Sequence, residues 1–202
     1  MKVLGITGGI GCGKSTVIEI LDEHYHCCII NTDQIAADMM KKGNQAYQLV
    51  VDYFGDDILC EDGEINRMKL AKRVFKSEMD LLKLNSFTHP LVRKEVEKRI
   101  KEEKRKAMSD EAVELIIVET ALPYEAQLND YCDDIWYVSA SLEVRKERLM
   151  TSRNYSDDKI NDIFNKQLSE DAYRDFCTHV IVNDTTKEDV LRQAKAILEK
   201  TQ

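Results

Sequence analysis

Short apolar runs recur along the chain, separated by stretches in which apolar residues return every three or four positions. The first run is Val3-Leu4-Gly5-Ile6-Thr7. Cys28 to Thr32, Val113 to Glu119 (VELIIVE), Asp134 to Ala140 (DIWYVSA) and His179 to Asp184 (HVIVND) have the same character. Runs that are continuous rather than alternating, and rich in β-branched and aromatic residues, predict strands buried on both faces, as parallel strands are. After the first run, Val17, Ile18, Ile20 and Leu21 fall at helical spacings, and Lys187 to Lys200 sets Val190, Leu191, Ala194, Ile197 and Leu198 along one helical face. Strands alternating with helices predict an α/β architecture with a five-stranded parallel sheet.

Two intervals are longer than a single crossover helix requires. Between Asp33 and Val113 the pattern predicts several helices: Gln34 to Lys42, Gln45 to Phe54, Met68 to Phe75, Met79 to Phe87 and Leu91 to Met108. Asp62-Gly63 marks a turn, and His89-Pro90 is expected to separate the last two helices, because the residue before a proline is pushed out of the helical region. In the last of them Val92, Val96 and Ile100 form a stripe every four residues. Residues 141–177 contain no strand signal and carry Arg145, Lys146, Arg148 and Arg153, which fits a helical lid bearing cations.

The chemistry is concentrated in residues 8 to 15, GGIGCGKS, which hold four of the chain's eight glycines. Gly8, Gly13, Lys14 and Ser15 satisfy G-x-x-x-x-G-K-[ST], placed between a strand and a helix as the phosphate-binding loop requires. Glycines let successive amides curl into an anion nest, and the following helix adds the positive end of its dipole. Gly8, Gly9, Ile10, Gly11, Cys12, Gly13, Lys14, Ser15 and Thr16 are therefore the expected nucleotide contacts, with Lys14 on the β- and γ-phosphates of ATP and the Ser15 hydroxyl on Mg²⁺. The fold expectation becomes a P-loop NTPase of the nucleoside-monophosphate-kinase type. It has a nucleotide-binding core of residues 1–33, 112–140 and 178–202, a helical acceptor-binding insert of residues 34–111, and a lid of residues 141–177.

Other candidates lie at strand ends, where open α/β sheets bind ligands. Asp33 could accept a proton from, or orient, an attacking hydroxyl if the second strand lies beside the first; a helix N-cap is the other role open to it, and the two can coexist. Glu119 closes a run of four apolar residues and could hold a water on Mg²⁺ or face the substrate hydroxyl. Arg148 and Arg153 could neutralise charge on the transferring group, with one of the two an ordinary surface residue. Asn183 could edge the adenine or merely end a strand.

Composition narrows the partners. A net charge of −8 argues against a general nucleic-acid binder. Residues 90–108 nonetheless hold eight Lys/Arg against four Glu, which suits an anionic small molecule or a solvated salt-bridged face. No run approaches a membrane span, and a strand beginning at residue 2 leaves no room for a signal peptide, so a cytoplasmic protein is expected. Six cysteines without CxxC or disulfide rhythm read as free thiols. HYHCC (His24 to Cys28) lacks the second ligand cluster that a structural zinc site needs. Monomer is plausible, and oligomeric state is otherwise undetermined.

Several stretches together resemble the dephospho-CoA kinase family: LGITGGIGCGKST, NTDQIAADMMKKG with Asp33, FGDDIL followed by DGEINRMKLAKRVF, and THPLVRKEV with His89 and Arg93. Glu125, Gln167 and Asn183 also match family positions, and the resemblance spans nearly the whole chain. It implies phosphorylation by ATP of the ribose 3′-hydroxyl of dephospho-CoA. Asp33 is then the proposed base, and His89 and Arg93 serve the acceptor's pyrophosphate; His89 could also be a cap beside Pro90. The sequence departs from the family at Ala37 (usually Arg), at Glu119 (often Asp), at Ala121-Leu122-Pro123, and in a lid spacing from Arg148 to Arg153 that is one residue longer. Another metabolite kinase, or a nucleotide-dependent switch, are the alternatives.

Overall fold

The structure, a computed structural model, describes residues 1–106 and 112–200. In chain order it runs β1 (Lys2–Thr7), α1 (Lys14–His24), β2 (Cys27–Asn31), α2 (Thr32–Met39), α3 (Gln45–Phe54), α4 (Arg67–Val74), α5 (Glu78–Arg105) and β3 (Leu115–Glu119). It continues through β4 (Asp134–Ser139), α6 (Leu142–Arg153), α7 (Asp157–Lys166), α8 (Glu170–Phe176), β5 (His179–Val182) and α9 (Lys187–Lys200). The chain forms two compact units, Met1–Ile30 with Ile100–Gln202, and Asn31–Arg99.

The first unit is built on a five-stranded sheet of order β2-β3-β1-β4-β5. β1 pairs in parallel with β3 on one side and β4 on the other, and β4 pairs in parallel with β5. Every residue of β4 is buried, as its unbroken apolar run predicts. Leu4, Ile6, Leu115, Ile117, Trp136 and Val138 of the sheet share one cluster with Val17, Ile18 and Leu21 of α1 and with Val190, Ala194 and Leu198 of α9. Each such side chain contributes roughly 1.5–3 kcal/mol by leaving water. Both helices pack on the sheet that carries the glycine loop, so the loop springs from a strand whose residues are in this core.

The order of strands overturns one premise of the sequence reading. β3, not β2, is the neighbour of β1. In a parallel sheet the strand lying beside β1 need not be the next one in sequence, and nothing in the two apolar runs distinguishes them.

The second unit has its own core of Val50, Phe54, Ile58, Leu70 and Val74, with Leu59, Ile65, Leu84 and Phe87 packed against it. A tight turn brings Leu59 opposite Ile65, with Gly63 at φ 81 where Asp62-Gly63 was expected to reverse the chain. Asn66 caps α4 by accepting from the amides of Met68 and Lys69.

α5 is one helix of 28 residues that contains Pro90, where two helices were expected; the expected end at Met108 lies outside the described residues. A proline inside a helix removes one backbone hydrogen bond and crowds the carbonyl four residues earlier, at about 3 kcal/mol. Packing on both sides of Pro90 outweighs that penalty. Thr88 is buried, Leu84 and Phe87 pack on the local core, and Val96 and Ile100 are buried beyond the proline. Thr88 also returns its hydroxyl to Leu84 O at 3.0 Å, which keeps the turn before Pro90 closed.

Candidate active site

The loop leaves the carboxyl end of β1 through Gly8 at φ 151 and enters α1 through Gly13 at φ 87. Both positions also exclude a side chain on space: a Cβ at Gly8 would lie 2.5 Å from Val138 O, and one at Gly13 would lie 2.1 Å from Asn183 Nδ2. Gly13 caps α1 without a side-chain oxygen, so the first amides of that helix meet no capping group. Cys12 is buried, and burial pushes its thiol up despite the nearby Lys14 ammonium, which fits a filler rather than a nucleophile. Ser15 is exposed and Thr16 half-buried.

The carbonyl oxygens of the loop are held from outside by side chains. Lys14 Nζ donates to Gly8 O at 2.9 Å. Arg145 Nε donates to Ile10 O at 2.9 Å. Arg148 Nη1 reaches Gly11 O at 3.4 Å and Cys12 O at 3.2 Å. Asn183 Nδ2 donates to Cys12 O at 2.9 Å and, more weakly, to Gly13 O at 3.4 Å. A trans peptide sets each N–H antiparallel to the C=O of the preceding residue. Holding Gly8 O, Ile10 O and Cys12 O therefore orients the amides of Gly9, Gly11 and Gly13, as an anion nest needs, while the Cys12 amide that follows Gly11 O turns back to Gly9 O at 3.3 Å. Thr7 Oγ1, at the foot of the loop, is buried with no hydrogen-bond partner among the described residues. Orphaned buried hydroxyls cost about 1–3 kcal/mol and mark a place where a ligand group can be welcomed.

Arg148 and Arg153, weighed together in the sequence, separate here. Arg148 lies on the loop, whereas Arg153 is exposed at the end of α6 beside Tyr155. Asn183 is buried and serves the loop with its side chain, while its main chain takes Arg148 Nη2 at 2.8 Å. Arg145 and Gln167 were not singled out as loop contacts. Helical spacing could have found Arg145, because it sits three residues before Arg148 on the same face, whereas Arg153 points elsewhere.

Glu119 ends β3, half-buried, in register with Ile6 of β1. It is thus the carboxylate on the strand adjoining the loop. A cavity of about 630 Å³ opens between β4 and the helices α6 to α8, lined in part by Tyr137, Arg145, Phe164, Gln167, Glu170 and Tyr173. Tyr137 and Tyr173 stack with centroids 4.8 Å apart, and burial pushes the Tyr173 phenol up to about 12, so it stays neutral and donates to Ala121 O at 3.3 Å.

The remaining candidates belong to the Asn31–Arg99 unit. Asn31, not Asp33, caps α2: its side chain accepts from Gln34 N at 2.8 Å. The helix begins one residue after the strand ends, two positions earlier than expected, so Asp33 becomes the second helical residue with its carboxylate exposed. His89 and Arg93 lie one turn apart on α5, both half-buried, and Arg93 Nε pairs with Glu97 Oε1 at 2.9 Å. His89 stands inside α5, so the reading of it as a cap beside Pro90 does not hold.

With this geometry in view, the dephospho-CoA kinase family model matches residues 2–189. The chain belongs to the dephospho-CoA kinase family. A dephospho-CoA kinase of Carboxydothermus hydrogenoformans is 38% identical over 200 residues, covering 99% of this chain and 94% of that protein. A solved dephospho-CoA kinase from Campylobacter jejuni superposes with a TM-score of 0.70 at 19% identity, over 98% of this chain and 96% of that one. A shikimate kinase from Acinetobacter baumannii superposes at 0.56 with 13% identity, over 100% of this chain and 95% of that one. At those identities the two structures speak for the fold alone, a P-loop kinase sheet flanked by helices. Among the described residues, no helix of this dephospho-CoA kinase family member is long and apolar enough to cross a membrane.

Proposed function

We propose that the protein transfers the γ-phosphate of ATP to the ribose 3′-hydroxyl of dephospho-CoA, giving coenzyme A and ADP. The observation that carries this reading is the glycine loop with its carbonyls tied outward by Lys14, Arg145, Arg148 and Asn183, in a chain of this family. Phosphoryl transfer asks little covalent chemistry of a protein and much positioning and charge stabilisation.

The residues present fit the nucleotide. Left-handed glycines and an uncapped helix start supply an anion site, and a buried hydroxyl lies beneath it. Lys14 has three N–H donors; Gly8 O takes one, and the others are for the β- and γ-phosphates. Arg148, fixed at the loop's edge, places a permanent cation where charge develops on the transferring group. Asn183 lines the adenine end.

Mg²⁺, when bound, neutralises phosphate charge. Ser15 is its protein ligand. Among the described residues, no group of three or more His, Cys, Asp or Glu forms a metal cage, and this donor set suits an ion held mainly by phosphate oxygens and water.

On the acceptor side, residues 34–111 form the acceptor-binding insert and residues 141–177 the lid. Asp33 orients the ribose hydroxyl and takes its proton, while His89 and Arg93 meet the pyrophosphate of dephospho-CoA. Arginine suits bidentate phosphate contact, and Glu97 keeps the Arg93 side chain extended along α5. Glu119 faces the substrate hydroxyl or a water on Mg²⁺. The protein works in the cytoplasm on small molecules, without nucleic acid or membrane.

Coupled release of ADP from Mg·ATP, with dephospho-CoA as acceptor and an acceptor-free blank beside it, tests the proposal. Turnover only with dephospho-CoA supports it. Turnover of a different alcohol, or slow hydrolysis indifferent to acceptor, would replace it with another kinase or a nucleotide switch.

A further inference from the structure

Three hydrogen bonds close a ring around Ile10. Arg145 Nε donates to Ile10 O at 2.9 Å, Arg145 Nη2 donates to Gln167 Oε1 at 2.7 Å, and that oxygen accepts from Ile10 N at 3.3 Å. The ring joins three separate pieces of chain: α6, the middle of the glycine loop, and the C-terminal cap of α7. The guanidinium is also seated over the Phe164 ring of α7, 4.3 Å from its centroid.

We infer that Arg145, acting with Gln167, is a positioning residue for the nucleotide; the inference rests on the reading that this loop holds ATP phosphates. The peptide plane that carries Ile10 O also carries the N–H of Gly11, pointing the opposite way. Holding Ile10 O against α6 therefore aims the Gly11 amide into the nest. The loop cannot choose this orientation alone, because glycines on both sides leave the Ile10 peptides free to rotate.

Gly9 records the same contact. A Cβ there would come within 2.5 Å of Arg145 Nη2 and 2.8 Å of Gln167 Oε1. Gly9 is not at a left-handed φ, and a side chain there would have to push the Arg145 and Gln167 ends off their seat.

The contact also links the loop to the lid. Arg145 and Arg148 share one face of α6, so the residue that aims the amide and the residue proposed to neutralise the transferring phosphate move as one body. A lysine could reach only one of the two acceptors, since it presents a point charge rather than a planar fork.

The test is calorimetric titration of Mg·ATP into the full chain and into Arg145→Lys, Arg145→Ala, Gln167→Leu and the double variant Arg145→Ala/Gln167→Leu, with steady-state KM values for ATP and for dephospho-CoA. The expected result is an ATP affinity about tenfold weaker in each single variant, the size of a lost charge-assisted hydrogen bond. Lysine should not rescue. The double variant should be no worse than about the weaker single one, because one ring is broken once. KM for dephospho-CoA should stay within about twofold in all of them.

Unchanged ATP affinity in both Arg145 variants overturns the inference, as do additive losses, or a loss confined to the acceptor KM. If an Arg145 variant fails to fold, Gln167→Leu carries the test alone, because it removes the shared acceptor and leaves the cation. Failure of the unaltered chain to bind ATP would instead sink the reading of the loop itself.

Discussion

Arg148 and Asn183 brace the glycine loop from two sides while bonded to each other. Arg148 Nη2 donates to Asn183 O at 2.8 Å, and both side chains donate to Cys12 O, at 3.2 and 2.9 Å. The arrangement fixes a cation on the loop carbonyls, and among the described residues no carboxylate pairs with it. Arg148→Ala should lower kcat by roughly 10²–10³, the usual loss when one preorganised charge donor is removed. Steady-state turnover at saturating ATP and dephospho-CoA reads the effect, and a kcat within threefold of the unaltered chain would take Arg148 off the catalytic list.

The two carboxylates proposed for the hydroxyl can be separated by substitution. Asp33→Asn should keep ATP affinity and lower kcat by roughly 10²–10⁴, the range for a positioned acid–base group. Glu119→Gln, on the strand beside β1, should act mainly on the Mg²⁺ dependence of turnover if it holds a water on the metal. A full loss of kcat in Glu119→Gln beside an unaffected Asp33→Asn would assign the base to Glu119.

Asp134, at the opposite end of β4 from the loop, sets an acid limit to stability. Burial alone would raise its pKa; hydrogen bonds from Thr178, Lys2, His179 and Trp136 Nε1 outweigh burial and bring it down to about 2. A carboxyl held below its ordinary value near 3.9 favours the folded state above that value, and the benefit is lost as pH falls toward 2. The difference in unfolding free energy between the unaltered chain and Asp134→Asn should therefore shrink by about 2 kcal/mol between pH 5 and pH 2.5. Urea titrations across that range, followed by circular dichroism, would show it; a constant gap would mean that Asp134 matters by shape alone.

Pro90 interrupts a helix that packing holds together. Pro90→Ala restores the N–H that would meet Ser86 O, and should raise stability by about 1–2 kcal/mol after the loss of the proline's restraint on the unfolded chain. Because His89 and Arg93 sit on either side of Pro90, the same change should raise KM for dephospho-CoA while leaving that for ATP alone. A stabilised variant with both KM values unchanged would show that Pro90 has no bearing on the acceptor.

The strands and the loop were legible because their signals are local. An unbroken run such as IWYVS fits a strand buried on both faces, and GGIGCGKS fits little else than an anion nest. The misses share a cause, which is competition between non-local terms. His89-Pro90 reads as a helix boundary until Thr88, Val96 and Ile100 are seen buried on both sides. Asn31 and Asp33 are equally good caps by residue type, and only the true start of α2 decides between them. The order of the strands was illegible for the same reason, since β2 and β3 are both short and apolar. Arg145 looked like one more cation on a charged helix. Its spacing of three from Arg148 is the one local signal it carries; its acceptors lie 135 residues back at Ile10 and 22 residues on at Gln167.

Trp136 is the chain's one tryptophan, wholly buried in β4 with its indole N–H on Asp134. Its emission is therefore a built-in reporter of the sheet, whereas the far-ultraviolet signal sums the helices of both units. If the two optical transitions part company on heating, the Asn31–Arg99 unit and the sheet unit melt as separate cooperative blocks.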